Sequence, residues 1–207
     1  QAGAKVLGNN KDGIDFSLED DYYGDTRFHI PFIAWYQVMN ASLALTTMEV
    51  LKDRIPVTME QLQAGIANTR WQGRMETILP GVIVDGAHNE DGVRRFVETA
   101  ERFQKEYPLT LLFSAVNDKD YQDMIHTICS RIKFRKVVTT EVGGYREVPS
   151  AELAEIFCKE GCKDVGNSDN IEEAFHMAHE AKGEDGMLFC VGSLYLVGEI
   201  KTLLLKK

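Results

Sequence analysis

The chain has no excess of basic residues, and this deficit excludes one broad class of partner. Its 207 residues include 32 Asp and Glu against 23 Lys and Arg, which gives a formal net charge of −9 at pH 7. A general nucleic-acid surface needs a basic patch, so we expect no nucleic-acid partner. Acidity remains compatible with nucleotide binding, because a few backbone N–H groups and one or two cations can hold a phosphate.

The sequence also lacks a hydrophobic run long enough to cross a membrane. Its most apolar stretch, residues 187–197, is interrupted by Gly192 and Ser193. A transmembrane helix needs about 20 predominantly apolar residues in succession. No signal peptide is visible either. We therefore expect a cytoplasmic protein without a membrane-spanning segment.

Cysteine is scarce, and its spacing argues against a metal site or a disulfide framework. The four cysteines, at positions 129, 158, 162 and 190, include no CxxC pair. Buried, reduced thiols are therefore favoured over a disulfide or a zinc site. His176 and His179 lie three residues apart on a predicted helix, but no carboxylate or cysteine has ligand spacing to them. We expect no metal site in this sequence.

A phosphate-binding loop of the form GxxxxGK[ST] is missing, and the sequence contains not even one Gly-Lys pair. Such a loop cradles nucleotide phosphates with its backbone N–H groups and its lysine. The chain is therefore expected to be unable to hydrolyse a nucleotide alone. Because the sequence opens with Gln1 in mid-pattern, we interpret it as part of a longer protein.

The patterns that are present divide the chain near residue 70. Residues 14–19 and 23–30 alternate apolar and polar side chains around a short acidic turn, which predicts a hairpin. Helices are predicted at about 35–52 and 58–68, the second starting with a Thr-x-x-Gln capping box. The side chains predicted to face inward from the first helix are Val38, Leu43, Leu45, Met48 and Leu51. Residues 1–70 are expected to hold too little for an independent core and to rest on strands that precede Gln1.

From residue 71 to residue 207, apolar runs alternate with helical patterns. Runs that are apolar throughout, each followed by a helix, predict a Rossmann-like α/β domain with a mainly parallel sheet covered on both faces. The predicted strands are 82–84, 109–116, 136–140 and 187–191, and the predicted helices are 90–105, 120–131, 150–159, 170–182 and 193–205.

Three strand-to-helix junctions of this domain carry polar chemistry where ligands of parallel sheets usually bind. At residues 85–89 (Asp-Gly-Ala-His-Asn), Asp85 has the chemistry to hold a ribose hydroxyl or only to form the turn before a helix cap. Lys119 follows the next strand and is either a carboxylate or phosphate ligand or part of a solvated cap. Gly192 and Ser193 form either an anion site or merely a tight turn. The loop at residues 143–146 either closes over a substrate or is simply a turn.

In combination, these motifs resemble the Mur-ligase superfamily. The order of an Asn-Ala helix (Asn40-Ala41), a Gly-Arg linker (Gly73-Arg74-Met75-Glu76) and the Asp-Gly-Ala-His-Asn turn matches its successive signatures. Within it, Asp-Lys-Asp at 118–120 and Gly-Ser-Leu-Tyr-Leu-Val-Gly-Glu at 192–199 resemble the folylpolyglutamate/dihydrofolate synthase branch. Two positions depart from the usual pattern: Gln72 and Glu90 stand where proline is common. Both shape loops rather than chemistry.

The resemblance implies both an activity and roles for particular residues. The family joins a carboxylate to an amine through an acyl phosphate, with ATP and Mg²⁺, and this branch adds L-glutamate to dihydropteroate or to a reduced folate. It has a central ATPase domain, of which residues 1–70 would be the last part, and a C-terminal domain, here 71–207. The residues implied for ATP are Asn40, Arg74, Asp85 and His88, with Arg74 also catalytic, and those for glutamate are Lys119 and Ser193.

The resemblance also sets out what is expected to lie elsewhere, and which alternatives remain. The phosphate loop and the Mg²⁺ ligands would precede Gln1, and the full-length enzyme would be a monomer. Arg74 and Asp85 are expected to point into a solvent-filled cleft. A peptidoglycan-precursor ligase is a related alternative, which the 192–199 segment disfavours. A freestanding nucleotide- or glutamate-binding module is an alternative from another class.

Overall fold

The computed structural model describes residues 3–10, 13–144 and 146–205. The contacts between residues divide the chain into two compact units, Gln1–Trp71 and Gln72–Lys207. The boundary predicted from the sequence lies after residue 70. That the first unit is the last part of an ATPase domain stays a prediction. No described helix has the length and apolar character needed to cross a membrane.

The first unit consists of a three-stranded antiparallel sheet and two helices. Its sheet has the order β1-β2-β3, and Ile14 pairs with Ile30 in the β2–β3 hairpin. The predicted second strand of the hairpin is shortened to its last three residues, because residues 20–25 form a turn in which Tyr23 N–H donates to Asp20 Oδ1 at 2.8 Å. The elements are β1 (Gly3–Asn10), β2 (Gly13–Glu19), β3 (Phe28–Ile30), α1 (Trp35–Val50) and α2 (Met59–Ala67).

The expectation that the first unit lacks a core of its own is wrong. The sheet buries a hydrophobic cluster against the helices, and strand β1, which was not predicted, pairs along β2. Its sequence shows no alternation, and its register shifts between Val6 and Gly8. The buried cluster is Ile14, Phe16, Leu18, Tyr23, Phe28, Ile30, Phe32, Val38, Ala41, Leu45 and Leu62.

The inward face of α1 differs from the prediction at Leu43, and Leu51 lies just beyond the end of the helix. Val38, Ala41 and Leu45 are buried, but Leu43 is 69% exposed. Five residues of helix turn a side chain by about 140° away from Val38, so both positions cannot face the same core. The capping box at the start of α2 is confirmed, because Thr58 and Gln61 exchange both of its hydrogen bonds.

The second unit alternates strands and helices as predicted, with two additional strands at the edges. It forms one six-stranded sheet in the order β4-β5-β9-β6-β7-β8, parallel except for β4. The predicted α/β class with a mainly parallel sheet is therefore confirmed. The elements are β4 (Glu76–Leu79), β5 (Val82–Asp85), α3 (Glu90–Phe103), β6 (Leu109–Phe113), α4 (Tyr121–Arg131), β7 (Phe134–Thr139), α5 (Ser150–Lys159), β8 (Val165–Asn167), α6 (Ile171–Lys182), β9 (Met187–Val191) and α7 (Leu194–Leu205).

The strand order determines which face each helix covers. The crossovers through α3, α4 and α5 all run toward β8, so the right-handed rule places these helices on one face. The crossover through α6 runs back from β8 to β9, which places α6 on the other face, where it packs against α7. Both faces are thus buried, with Phe96 against Phe189 on one side and Phe175 with Leu188 on the other.

Candidate functional site

A crevice is expected where the strand order of the second sheet reverses. Strand β9 lies between β5 and β6, and its register pairs Val191 with both Asp85 and Phe113. The helices that follow β5 and β6 lie on one face, whereas α7 follows β9 on the other. The carboxyl ends of these three strands therefore form a topological switch point, which is where open α/β sheets bind ligands.

Asp85 is the residue that organises one side of this edge. Its side chain is 3% exposed, and each carboxylate oxygen accepts a backbone N–H at 2.8 Å, Oδ1 from Ala87 and Oδ2 from Met75. The expectation that Asp85 points into a solvent-filled cleft is therefore wrong. The reason lies in the Gly-Arg-Met-Glu segment, because the N–H of Met75, ten residues earlier in the chain, binds the carboxylate and holds it inward.

The segment at residues 73–76, which we call the linker segment, is bonded to its surroundings at both ends. Gly73 O accepts the N–H of Gly86 at 2.7 Å, and Gly73 N–H donates to Glu76 Oε2 at 2.7 Å. Lys201 of α7 forms an ion pair with the same Glu76 carboxylate at 2.7 Å. The linker segment is thus tied to the β5 turn and to α7.

The backbone of the linker segment is strained beside its arginine. Met75 has a φ of +45°, and no other non-glycine residue in the described part of the chain has a positive φ. Such a conformation costs of order 1–3 kcal/mol and persists only where neighbouring contacts enforce it. Here the bond from Met75 N–H to Asp85 supplies that enforcement.

Arg74 lies between Gly73 and Met75, whose backbone groups are hydrogen-bonded to Gly86 and Asp85. It is partly exposed, and within residues 3–10, 13–144 and 146–205 no hydrogen bond or ion pair engages its guanidinium. A charged side chain on an immobilised backbone, with no internal partner in the described residues, is well suited to bind an anion. The backbone of Arg74 is therefore held in place, and the N–H donors of its guanidinium remain available to an anion.

His88 and Asn89 complete the turn after β5. His88 Nδ1 lies 2.7 Å from Gly86 O, and because a carbonyl only accepts, Nδ1 must carry the proton. In the neutral ring this leaves Nε2 as an acceptor. Asn89 caps α3 by accepting the N–H of Gly92 at 2.8 Å, as predicted.

Ser193 and Ser114 follow the adjoining ends of β9 and β6. Ser193 is buried, and its Oγ accepts the N–H of Tyr195 at 3.1 Å, so part of its hydrogen-bonding capacity serves the first turn of α7. Ser114 was not singled out from the sequence. Its Oγ is buried without a partner in the described part of the chain. The only sign of Ser114 in the sequence is that a polar residue ends an apolar run.

Gly192 permits the close approach of these two strand ends. Its φ is +110°, and a Cβ there would lie 2.1 Å from the carbonyl oxygen of Ser114. We expect Gly192→Ala to lower the free energy of unfolding of the second unit by about 2–3 kcal/mol. Gly198→Ala is the matched control within α7, where nothing lies within 4 Å of the new methyl. That change should stabilise by about 0.5–1 kcal/mol.

Hydrogen exchange of the β6 and β9 amides measures both changes in the same unit. Equal effects of Gly192→Ala and Gly198→Ala would contradict the packing assigned to the strand ends.

Lys119 lies on a loop that is held by a second loop and by α7. Its side chain is partly exposed, and no bond to it is found among the described residues. Arg146 donates to the neighbouring Asp118 at 3.0 Å and to Tyr195 Oη at 2.9 Å. The loop at 143–146 is therefore bonded to neighbouring elements through Arg146. Tyr145 lies outside the described residues.

The remaining sequence candidates belong to other elements of the chain. Asn40 is exposed on α1 in the first unit, where its amide donates to Gln37 Oε1 at 2.9 Å. Within the described residues, no group of three His, Cys, Asp or Glu side chains could hold a metal ion. All four cysteines are free, but only Cys190 is fully buried and Cys158 is exposed, so the prediction that the thiols are all buried is wrong.

Comparison with known proteins assigns the chain to a family. The sequence profile described as "Mur ligase, glutamate ligase domain" matches residues 73–194. The chain belongs to this Mur-ligase family, which confirms the resemblance seen in its motifs. The matched segment contains Arg74, Asp85, His88, Lys119 and Ser193.

Relatives extend the similarity along nearly the whole chain. A Bacillus subtilis (strain 168) protein named dihydrofolate synthase/folylpolyglutamate synthase is 30% identical over 196 residues, covering 91% of this chain and 43% of that protein. The structure of E. coli FolC in complex with DHPP and ADP matches with a TM-score of 0.81 and 18% identity, over 98% of this chain and 45% of that one.

A further structure, the bifunctional folylpolyglutamate synthase/dihydrofolate synthase of Yersinia pestis complexed with AMPPNP and Mn ion, matches with a TM-score of 0.74 and 18% identity. That match covers 97% of this chain and 45% of the Yersinia chain. The chain thus spans less than half the length of these relatives.

Proposed function

We propose that this chain is the C-terminal part of an ATP-dependent amide ligase that adds L-glutamate to dihydropteroate or to a reduced folate. The family match and the names of the relatives support this proposal. The observation that carries it is the linker segment, whose bonds to Asp85 and Gly86 fix the backbone of Arg74 beside the switch point of the sheet.

In the proposed reaction, the carboxylate of the folate attacks the γ-phosphorus of ATP, and ADP leaves. The amine of glutamate then attacks the acyl phosphate, inorganic phosphate leaves, and the amine loses a proton as the amide forms. Arg74 contributes by binding the phosphates with its fork of donors, which offsets the charge that builds up during transfer.

The other ATP contacts are proposed from the family pattern and from the hydrogen bonds that these residues already make. His88 is assigned to the nucleoside, where its Nε2 is suited to accept a hydrogen bond, and Asn40 is assigned to ATP without a finer role. Asp85 is assigned to the ribose. Because both of its oxygens already accept backbone N–H groups, we propose that it acts mainly by holding the linker segment.

Lys119 and Ser193 are proposed to bind the incoming glutamate. Glutamate brings two carboxylates, which an ammonium group suits as a point charge. Arg146 forms an ion pair with Asp118, one of the two carboxylates beside Lys119, and the other, Asp120, accepts the N–H of Asp123 at the start of α4. This arrangement leaves Lys119 to attract an anionic substrate, while Ser193 offers the N-terminus of α7.

The metal is proposed to lie outside this chain. ATP-dependent phosphoryl transfer generally uses Mg²⁺, which prefers carboxylate and phosphate oxygens. The donor set of the described residues does not fit such an ion, so its protein ligands are assigned to the preceding part of a longer protein. We further propose that this longer protein is a cytoplasmic monomer.

The proposal predicts that the 207-residue chain alone does not turn over ATP with folate and glutamate, because it has no phosphate loop. A longer protein that carries this sequence together with such a loop is expected to release ADP only when ATP, glutamate and folate are all present. A coupled ADP-release assay compares the two. Turnover by the chain alone at an ordinary enzymatic rate would refute the proposal that the reaction needs a phosphate loop from another part of a longer protein.

A further inference from the structure

Two cysteine thiols lie side by side at one end of the second unit, away from the candidate site. Cys129 Sγ and Cys162 Sγ are 3.6 Å apart, although 33 residues separate them in the sequence. Both side chains are partly exposed, whereas Cys158 is exposed and Cys190 is buried. Both are free thiols, so the pair is a reduced dithiol within reach of small molecules.

The position of Cys162 is fixed by the way α5 ends. Gly161 has a φ of +92°, and the N–H groups of Gly161 and Cys162 donate to Cys158 O at 3.0 Å and to Phe157 O at 3.1 Å. These two bonds form a Schellman motif, which terminates a helix with a defined geometry. Phe157 is fully buried against Phe113, so the motif is anchored in the core.

Cys129 is held equally firmly on the last turn of α4. The preceding residue, Ile128, is fully buried, and α4 packs against α5. A second contact joins the same helix ends, because His126 Nδ1 lies 2.9 Å from Glu160 Oε2. The two sulfur atoms therefore face each other across a packed helix pair, rather than meeting by the movement of loops.

We propose that Cys129 and Cys162 form a reversible intramolecular disulfide by exchange with low-molecular-weight disulfides. A disulfide has an S–S distance of about 2.05 Å, so the sulfur atoms must approach by about 1.5 Å from 3.6 Å. Closing this gap requires rotation about the two Cα–Cβ bonds and small shifts at the helix ends.

The exchange proceeds in two balanced steps. The Cys162 thiolate attacks one sulfur of the small disulfide, which forms a mixed disulfide and releases one small thiolate. The Cys129 thiolate then attacks Cys162 Sγ, closes the protein disulfide and releases the second small thiolate. The protein loses two hydrogen atoms, and one small disulfide becomes two small thiols.

The hydrogen bond between the thiols favours this order of attack. The contact between the two sulfur atoms lowers the pKa of Cys162 and raises the pKa of Cys129, and burial raises the pKa of Cys129 further. The Glu160 carboxylate opposes ionisation of both thiols. Cys190 is excluded from the reaction, because burial alone raises its pKa and closes access to it.

The location indicates what oxidation would do. Helices of a parallel α/β unit run opposite to its strands. The C-terminal ends of α4 and α5 therefore lie near the N-terminal ends of the strands, whereas residues 85–89 and 192–193 follow the carboxyl ends. The disulfide therefore cross-links the fold without covering the candidate site. We expect it to stabilise the second unit by closing a loop of 33 residues.

The test uses the purified 207-residue chain and glutathione disulfide, and it does not depend on ligase activity. Oxidation should remove two hydrogen atoms, and non-reducing peptide mapping should join the peptides of Cys129 and Cys162. The melting temperature should rise by roughly 5–10 °C and should return on addition of dithiothreitol. Cys158→Ser is the matched control, and it should leave both results unchanged.

Cys129→Ser should abolish the gain in melting temperature and leave Cys162 as a mixed disulfide with glutathione. A cross-link through Cys158, or stable glutathione adducts on both cysteines of the unmodified chain, would overturn the proposal.

Discussion

Replacement of Arg74 by alanine is expected to lower kcat of the longer ligase about a hundredfold or more, with a much smaller change in KM for ATP. The partner proposed for its guanidinium is the charge that develops on the phosphates during transfer, so its loss is felt mainly in the transition state. One such cation contributes of order 2–4 kcal/mol. Steady-state kinetics with varied ATP measures the effect.

Two further variants show whether the effect is specific to this side chain. Arg74→Lys keeps the charge but loses the fork of donors, so it should recover only part of the rate. Arg102→Ala removes an exposed arginine from the far end of α3 and should leave kcat near normal. The catalytic assignment fails if Arg74→Ala melts several degrees lower while its kinetics stay near normal, because Arg74 would then be a structural residue.

Replacement of Asp85 by alanine is expected to destabilise the second unit by about 3–6 kcal/mol. The change leaves two buried N–H groups, those of Met75 and Ala87, without their charged acceptor, and each such loss costs about 1.5–3 kcal/mol. It also removes the contact that holds Met75 at a positive φ. The structure therefore gives this variant a stability defect in addition to any increase in KM for ATP.

The stability defect is best measured in the 207-residue chain by native-state hydrogen exchange of the β5 and β9 amides. Tryptophan fluorescence would not serve, because Trp35 and Trp71 both belong to the first unit. Asp91→Ala, at an exposed position in the first turn of α3, is the matched control and should cost less than about 1 kcal/mol. A defect at Asp85 no larger than that of the control would refute its anchoring role.

The alternation of strands and helices in the second unit could be predicted, because strands buried on both faces leave long apolar runs. Strands β4 and β8 could not be predicted, since both are short, lie at the edges of the sheet and are only partly buried. The insertion of β9 between β5 and β6 was equally inaccessible. Strand order depends on packing between distant segments, and no local pattern records it.

The sequence located the candidate site but not the direction of its side chains. The turn at residues 85–89 was recognised from its motif, yet the inward orientation of Asp85 depends on the linker segment ten residues before it. The bonds of Arg146 to Asp118 and Tyr195 join residues 28 and 49 positions apart, which spacing cannot reveal. Leu43 was misassigned because hydrophobicity was weighted over helical phase.

The ligase proposal is tested most directly by the chemical identity of the product. A longer protein that carries this sequence and a phosphate loop is incubated with ATP, L-glutamate and either dihydropteroate or a reduced folate, and the products are analysed by mass spectrometry. We expect a product heavier by one glutamyl residue, together with ADP and phosphate. Release of ADP without a glutamylated folate, or glutamate addition to a peptidoglycan precursor instead, would contradict it.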